Sequence, residues 1–297
     1  MSTATPTVRT RGTTEASVQH PYGSAGVVGP DEIATPMAGE ERDGHAASPI
    51  RRRLSTAKED AMIPPKRLAR IAGLLYLLVG ITGGFSEGFV DPQLHVAGNA
   101  AATAANVLAN TGLVRMGVVA HLSDGVFFMS TALALYILLQ HVHRSVARAM
   151  LVCVALAVGI ICLNAVFLFE GLQVALDSSY AAAFGTAGAH ALVLLLLDIQ
   201  HYGTLSAQVF FGLWLVPLGY LAITSGLFPK ALGVVLIVAG VCYLVDLLAA
   251  FLVPDVGQQM HAFVIIAPII GEVWMVLYLL VIGVRSVKPD QRIFAAA

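Results

Sequence analysis

Six stretches of the chain are apolar for long enough to cross a bilayer, with polar residues gathered between them. They run over residues 71–89, 118–139, 150–172, 207–224, 232–252 and 263–284. A helix rises 1.5 Å per residue, so about 20 residues cover a hydrocarbon core of ~30 Å. The pattern is sharpest over residues 210–246, where two apolar limbs meet at the turn Ser225-Gly226-Leu227-Phe228-Pro229-Lys230. Pro229 stands where the second limb begins, a position that suits a residue with no backbone donor. Lys230 beside it marks this turn as a cytoplasmic one. The pattern predicts an all-α integral membrane protein, a six-helix transmembrane bundle with short interfacial helices.

The connecting segments refine that plan. Residues 91–112 are rich in Ala and Asn, too polar to span, and predict a short helix on the membrane surface. Within residues 181–204 only 191–197 is strongly apolar, bounded by His190 and by Asp198, His201 and Tyr202. A run this short reads as interfacial or re-entrant. Gly80, Gly84 and Gly88 recur every four residues on one face of the first span, which predicts close approach of another helix there. Pro217 and Pro268 predict kinks in the fourth and sixth spans.

Charge sets the orientation. Only 12% of residues are charged and mean hydropathy is +0.80, whereas a soluble domain carries about a quarter charged residues. A net charge of -1 gives no long-range field and argues against nucleic acid as a partner. Ten of the seventeen Lys and Arg lie before residue 71. With six spans and the N-terminus inside, Arg115 alone falls on the outer side. A seventh span at 181–197 would strand Lys230 and the C-terminal tail outside, against the positive-inside tendency. The expected location is the inner (plasma) membrane, with both termini cytoplasmic.

Residues 1–62 have the Ser, Thr, Gly, Pro and mixed-charge composition of disorder. The domain plan is therefore a disordered cytoplasmic tail (1–62), a six-span domain (66–286) and a short cytoplasmic tail (287–297). The Arg51-Arg52-Arg53 run reads as a solvated cluster. No secretory signal pattern stands near Met1, and Met62, just before Pro64-Pro65, is an alternative translation start.

The ionisable residues inside the spans are where chemistry would sit, because an isolated charge there costs about 2.5 kcal/mol or more. Glu87, Asp124, Glu170 and Asp246 fall in the outer half, Glu272 near the middle, and His121, Arg115 and His261 towards the same side. Together with Tyr243 they define the expected polar pocket, open outward. His121 and Asp124, three residues apart, share a face and predict an intrahelical hydrogen bond. Tyr243, one turn before Asp246, predicts a hydroxyl donated to that carboxylate. Glu87 and Glu170 are near enough to the interface to be solvated. Pro268 removes the hydrogen bond to the Val264 carbonyl and bends the helix four residues before Glu272.

One His and one Asp make half a metal site, and no HxxxH or HExxH completes it, so no metal is expected. No P-loop, dinucleotide fingerprint or nucleophile elbow is present, and no cofactor is expected. Cys153, Cys162 and Cys242 lie in apolar spans without CxxC spacing and read as packing residues. Ser123, Ser130 and Ser206 are isolated hydroxyls of the kind that bond back within helices.

The run VAGNAAATAANVLANTGLVRMGVVAHLSDGVFFMSTALALYILL (96–139), with FFGLWLVPLGYLAITSGLFPKALGVVLIVAGVCYLVD (210–246) and IIGEVWMVLYLLVIGV near the end, resembles a bacterial membrane family known only as domain of unknown function 4386. The resemblance covers about residues 66–286. It implies a multi-pass inner-membrane protein and no activity. Members of that family commonly carry an acid where this chain has Asn99. Three function classes remain: proton- or cation-linked transport of a small solute, a non-catalytic membrane component, and an enzyme on a lipid or polyprenyl substrate using intramembrane carboxyls. The expected partners are the lipid bilayer and a small solute or lipid ligand. A central cavity sealed on one side would favour the first class, acids capped by donors with no cavity the second, and a lateral opening at the acids the third.

Overall fold

The computed structural model describes residues 64–285, and these are helical throughout, joined by short turns. The expectations for the two tails and Met62 lie outside the described residues. Six spans are long and apolar enough to cross a membrane. They are α1 (Pro65–Leu94), α3 (Thr111–Leu139), α4 (Arg144–Leu176), α5 (Ser178–Ser225), α6 (Lys230–Leu252) and the pair α7 (Pro254–Val264) and α8 (Ile266–Val281). The short α2 (Ala100–Ala109) joins α1 to α3. Consecutive spans are neighbours, and α8 closes back onto α1. At the end where the described chain starts and finishes, the Arg285 N–H donates to the Leu227 carbonyl at 3.1 Å.

Two apolar cores result. The larger, at that end, packs Tyr76, Leu135, Met150, Trp214, Leu218 and Leu279 together. The smaller, at the far end, holds Val90, Leu94, Val107, Leu168, Leu172 and Leu197. Most of the buried polar residues lie between the two.

The loop expectations are partly overturned. Residues 186–204 form no separate interfacial or re-entrant element; they run straight on into the fourth span as part of α5, while a break at Gly185 (φ 75°, ψ 161°) sets the first turns, 178–184, apart from it. The polar residues after the apolar run do not end the helix because they find partners inside the protein. Asp198 pairs with His95, Gln200 donates to Asp91, and Thr204 accepts from Asn164. Asp177 caps α5, accepting the Ser179 N–H at 2.8 Å, and that bond holds its carboxyl below the usual carboxylate range. In the 91–112 segment, α1 runs on to Leu94, and α2 buries Ala104 and Val107 in the smaller core. Asn99 Oδ1 caps α2 by accepting the Ala102 N–H at 3.0 Å. An acid at that position would cap equally well.

The glycine expectation fails. A Cβ at Gly80, Gly84 or Gly88 would meet nothing within 4 Å. Gly73, one heptad before Gly80, is the close contact of α1: its Cβ would lie 2.8 Å from Leu279 Cβ. So α1 meets the last span backbone to backbone near Gly73, while the face carrying Gly80, Gly84 and Gly88 is left uncovered. The closest approaches of a glycine to another helix's backbone are between α5 and α6, where Gly212 faces Gly240 and Gly219 faces Gly233. Of the two prolines, Pro217 leaves α5 continuous. Upstream of Pro268 the helix is interrupted at Ile265, next to the carbonyl that the ring deprives of its donor.

The α5–α6 turn is an anchor as well as a link. Gly226 ends α5 with φ 69°, and Leu227 and Phe228 are buried. The Tyr278 hydroxyl donates to the Leu227 carbonyl at 3.3 Å, and the Phe228 and Tyr278 rings lie 5.6 Å apart. Phe228→Ala is expected to cost about 3–5 kcal/mol through the cavity it leaves. Phe228→Leu, which keeps most of the volume, should lose much less. Thermal unfolding in detergent reads both; equal losses would mean that the volume of this plug is not what holds the turn.

Candidate functional site

At mid-height of the bundle five spans enclose a cavity of about 170 Å³. α1 supplies Gly80, Gly84 and Glu87, α3 supplies Asp124 and Phe128, and α5 supplies Phe211 and Trp214. Tyr243 of α6 and Glu272 of α8 complete the lining. Three carboxyl groups from three separate helices thus face one space. Gly80 and Gly84 line the cavity, are exposed and lack a neighbour within 4 Å, so the cavity opens past this face of α1. Towards the terminal end it is closed by the buried Tyr76, Trp214, Met275 and Leu279.

Each carboxyl is held differently. Glu272 accepts from the Tyr76 hydroxyl at 2.7 Å and from the Tyr243 hydroxyl at 2.9 Å. Asp124, only 6% exposed, accepts from Thr82 Oγ1 at 3.1 Å through Oδ1. No hydrogen bond from the described residues reaches its other oxygen. Glu87 also lacks a hydrogen-bond partner among them. It sits in a π-helical turn, Ser86–Val90, that interrupts α1. Such widened turns are frequent at functional sites because they re-aim side chains.

Aromatic rings form the opposite wall. Tyr76 meets Trp214 at 5.5 Å between ring centroids, Trp214 meets Phe128 at 5.1 Å, Phe128 meets Phe211 at 6.0 Å, and Phe211 meets Tyr243 at 6.1 Å. The tyrosines at the two ends both donate to Glu272. Four of these rings line the cavity, and Tyr76, buried outside the lining, links Trp214 to Glu272.

Two predicted pairings are replaced by others. Tyr243 donates to Glu272 and not to Asp246; Asp246 pairs with His261 Nδ1 at 2.9 Å. The α7–α8 break lets His261 fold back over α6, and helix rotation turns Tyr243 inward. His121 does not bond Asp124 along its own helix. Its Nε2 lies 3.3 Å from Asp91 Oδ2, which also accepts from Gln200 Nε2 at 2.6 Å. Both groups found better geometry across helices than along one. Of the remaining pocket expectations, Glu170 and Arg115 are exposed and stand outside the cavity, while Glu87 is half-buried in its lining and not simply solvated. The structure thus brings Asp124, Glu272, Tyr243 and Glu87 together, places His121 next to them towards the far end, and leaves Asp246, Glu170 and Arg115 apart.

Sequence reasoning missed Tyr76, Thr82, Asp91, Gln200 and the aromatic wall. Tyr76 is a hydroxyl-bearing side chain inside an apolar span, and that was the available signal. Ser130 and Ser206 bond back to Val126 and Tyr202, as their isolation predicts. The three cysteines are free and half-buried.

The family described as Domain of unknown function (DUF4386) matches residues 71–283. The chain belongs to that family. No curated protein and no solved structure matches it. The DUF4386 match covers all six spans in full or in large part, and with them every residue lining the cavity. The DUF4386 description names no activity.

Proposed function

We propose that this protein moves a small solute across the membrane in linkage with a proton or cation, and that the central acidic cavity is the binding station. One observation carries the reading. Three carboxyls from α1, α3 and α8 line a single cavity that is open on one side and closed towards the terminal end. Carboxyls that only fastened helices would each be capped by donors and leave no space, whereas Glu87 is uncapped and Asp124 keeps one oxygen free. Intramembrane acids facing a cavity are the usual carriers of a proton or cation.

Orientation follows from the basic residues. Lys66, Arg67, Arg70, Arg144, Arg148, Lys230 and Arg285 lie towards the end where the described chain starts and finishes, and Arg115 towards the other. By the positive-inside tendency the terminal end is cytoplasmic and the cavity opens towards the outer leaflet. The inner membrane, with cytoplasmic termini, is the location this supports.

A second reading has its own observation. The opening past Gly80 and Gly84 lies on a helix face beside Leu77 and Ile81, both exposed apolar residues. A lateral entrance of that kind suits a lipid-borne substrate, on which two carboxyls would act as general acid and base.

Proton movement in proteoliposomes, followed with an internal pH dye while external cations are varied, tests the transport reading. Asp124→Asn and Glu272→Gln should each reduce flux to the leak of empty liposomes. Glu170→Gln, on an exposed face, should leave it unchanged. Flux that persists in both cavity variants would overturn the reading.

A further inference from the structure

The lining of the cavity is more specific than a proton site requires. A proton needs a carboxyl and a path, and a metal ion needs several convergent ligands. Among the described residues no three His, Cys, Asp or Glu side chains stand together to hold a metal ion. What does stand there is a run of four touching aromatic residues, Trp214, Phe128, Phe211 and Tyr243, in the same lining as the carboxyls, with Asp124 more than nine-tenths buried and one oxygen without a hydrogen bond from the described residues. Aromatic walls contribute little to a bare proton. They attract an organic cation through the negative faces of the rings, most strongly when water is excluded.

Resting on the transport reading above, we propose that the cavity binds a small organic ammonium ion. Glu87, Asp124 and Glu272 supply the counter-charge, and Phe128, Phe211 and Trp214 contact the carbon groups around the nitrogen. A dry cavity of ~150 Å³ holds a benzene-sized molecule. The space of about 170 Å³ therefore admits an ammonium ion with a short carbon frame. Glycine at positions 80 and 84 keeps the entrance clear, since a side chain at either would stand in open space at its rim. The same ammonium chemistry is carried by a free amine and by the headgroup of an amine lipid reaching in past α1.

Trp214 gives a direct readout. The chain has two tryptophans, so Trp274→Phe leaves Trp214, in the cavity wall, as the single emitter. Emission is followed in nanodiscs of phosphatidylglycerol, which carry no amine lipid, on addition of n-butylammonium, tetramethylammonium, neutral n-butanol or sodium. Either ammonium ion should change Trp214 emission saturably, butanol and sodium should not, and Asp124→Asn or Glu272→Gln should weaken binding at least tenfold. The same titration in nanodiscs containing phosphatidylethanolamine separates the two sources. Loss of apparent affinity there assigns the lipid headgroup as occupant, and undiminished binding assigns a free amine.

Other outcomes overturn the proposal in distinguishable ways. Saturable binding of sodium, or a pH response alone, with no response to ammonium ions removes the organic cation and leaves the transport reading standing. Equal binding of butanol shows a charge-blind apolar site. No response to any probe, with native stability in both acid variants, removes the proposal and counts against the acidic cavity as a binding station.

Discussion

Leucine in place of Gly219 is expected to leave little or no folded protein, and alanine there to lower stability by about 1–3 kcal/mol. A Cβ at Gly219 would sit 2.5 Å from the Gly233 carbonyl oxygen and 2.7 Å from Ile237 Cγ1. The contact is reciprocal: a Cβ at Gly233 would lie 2.6 Å from the Gly219 carbonyl oxygen. Seven residues along, Gly212 and Gly240 repeat it at 2.7 Å in both directions. Backbone stands in the way in each case, so no side chain can rotate to make room. In lipid, helices associate through close packing more than through exclusion of water, and small residues at the contact let the backbones meet. Gly88→Ala is the control. It lies in open space and should be neutral or slightly favourable, since alanine is the better helix former. Size-exclusion profiles and thermal unfolding in detergent read all three. If Gly219→Leu behaved like Gly88→Ala, α5 and α6 would not pack as described.

That contrast also shows what the sequence can and cannot convey. The six spans and the Ser225–Lys230 turn were legible because apolar length and Gly-Pro punctuation are local properties. Contacts are not local. The four-residue spacing of Gly80, Gly84 and Gly88 tells that they share a face, yet it does not tell whether a neighbour comes to that face. The closer contact instead belongs to glycines spaced by seven on two antiparallel limbs, a pattern equally visible in the chain. The candidate site was legible as a set of intramembrane acids, because burying charge has a cost that marks it. Its pairings were not. Tyr243 and Asp246 share a helix side by spacing, but their partners, Glu272 and His261, come from the last span. The π-helical turn at Ser86–Val90 adds to the difficulty, since it shifts where Asp91 points and no residue pattern announces it. The long α5 was hidden for a related reason: the polar stretch from Asp198 to Thr204 looks like a helix end until its cross-helix partners are known.

Glu272→Leu is expected to destabilise the bundle while Glu272→Gln does not, although both remove the carboxylate. Leucine leaves the Tyr76 hydroxyl, on a residue only 2% exposed, with no acceptor. A buried donor stranded in this way costs about 1–3 kcal/mol. Tyr243, half-buried, adds a smaller loss. Glutamine retains a carbonyl oxygen and can still accept from one phenol, so its stability should stay close to that of the wild type. The two losses identify their own cause, because removing the donors as well should reverse them. The triple variant Tyr76→Phe, Tyr243→Phe, Glu272→Leu should recover most of the stability lost by Glu272→Leu alone, and the mutant cycle measures the coupling. Cation binding and flux should behave otherwise. Glu272→Gln and the triple variant are both folded, and both lack the charge that the cavity presents, so both should be inactive. A Glu272→Gln protein that unfolds as readily as Glu272→Leu would mean that Glu272 acts only as a fastener between α1, α6 and α8. A stable, inactive Glu272→Gln separates the two roles of this residue: the acceptor holds the tyrosines, and the charge serves the solute.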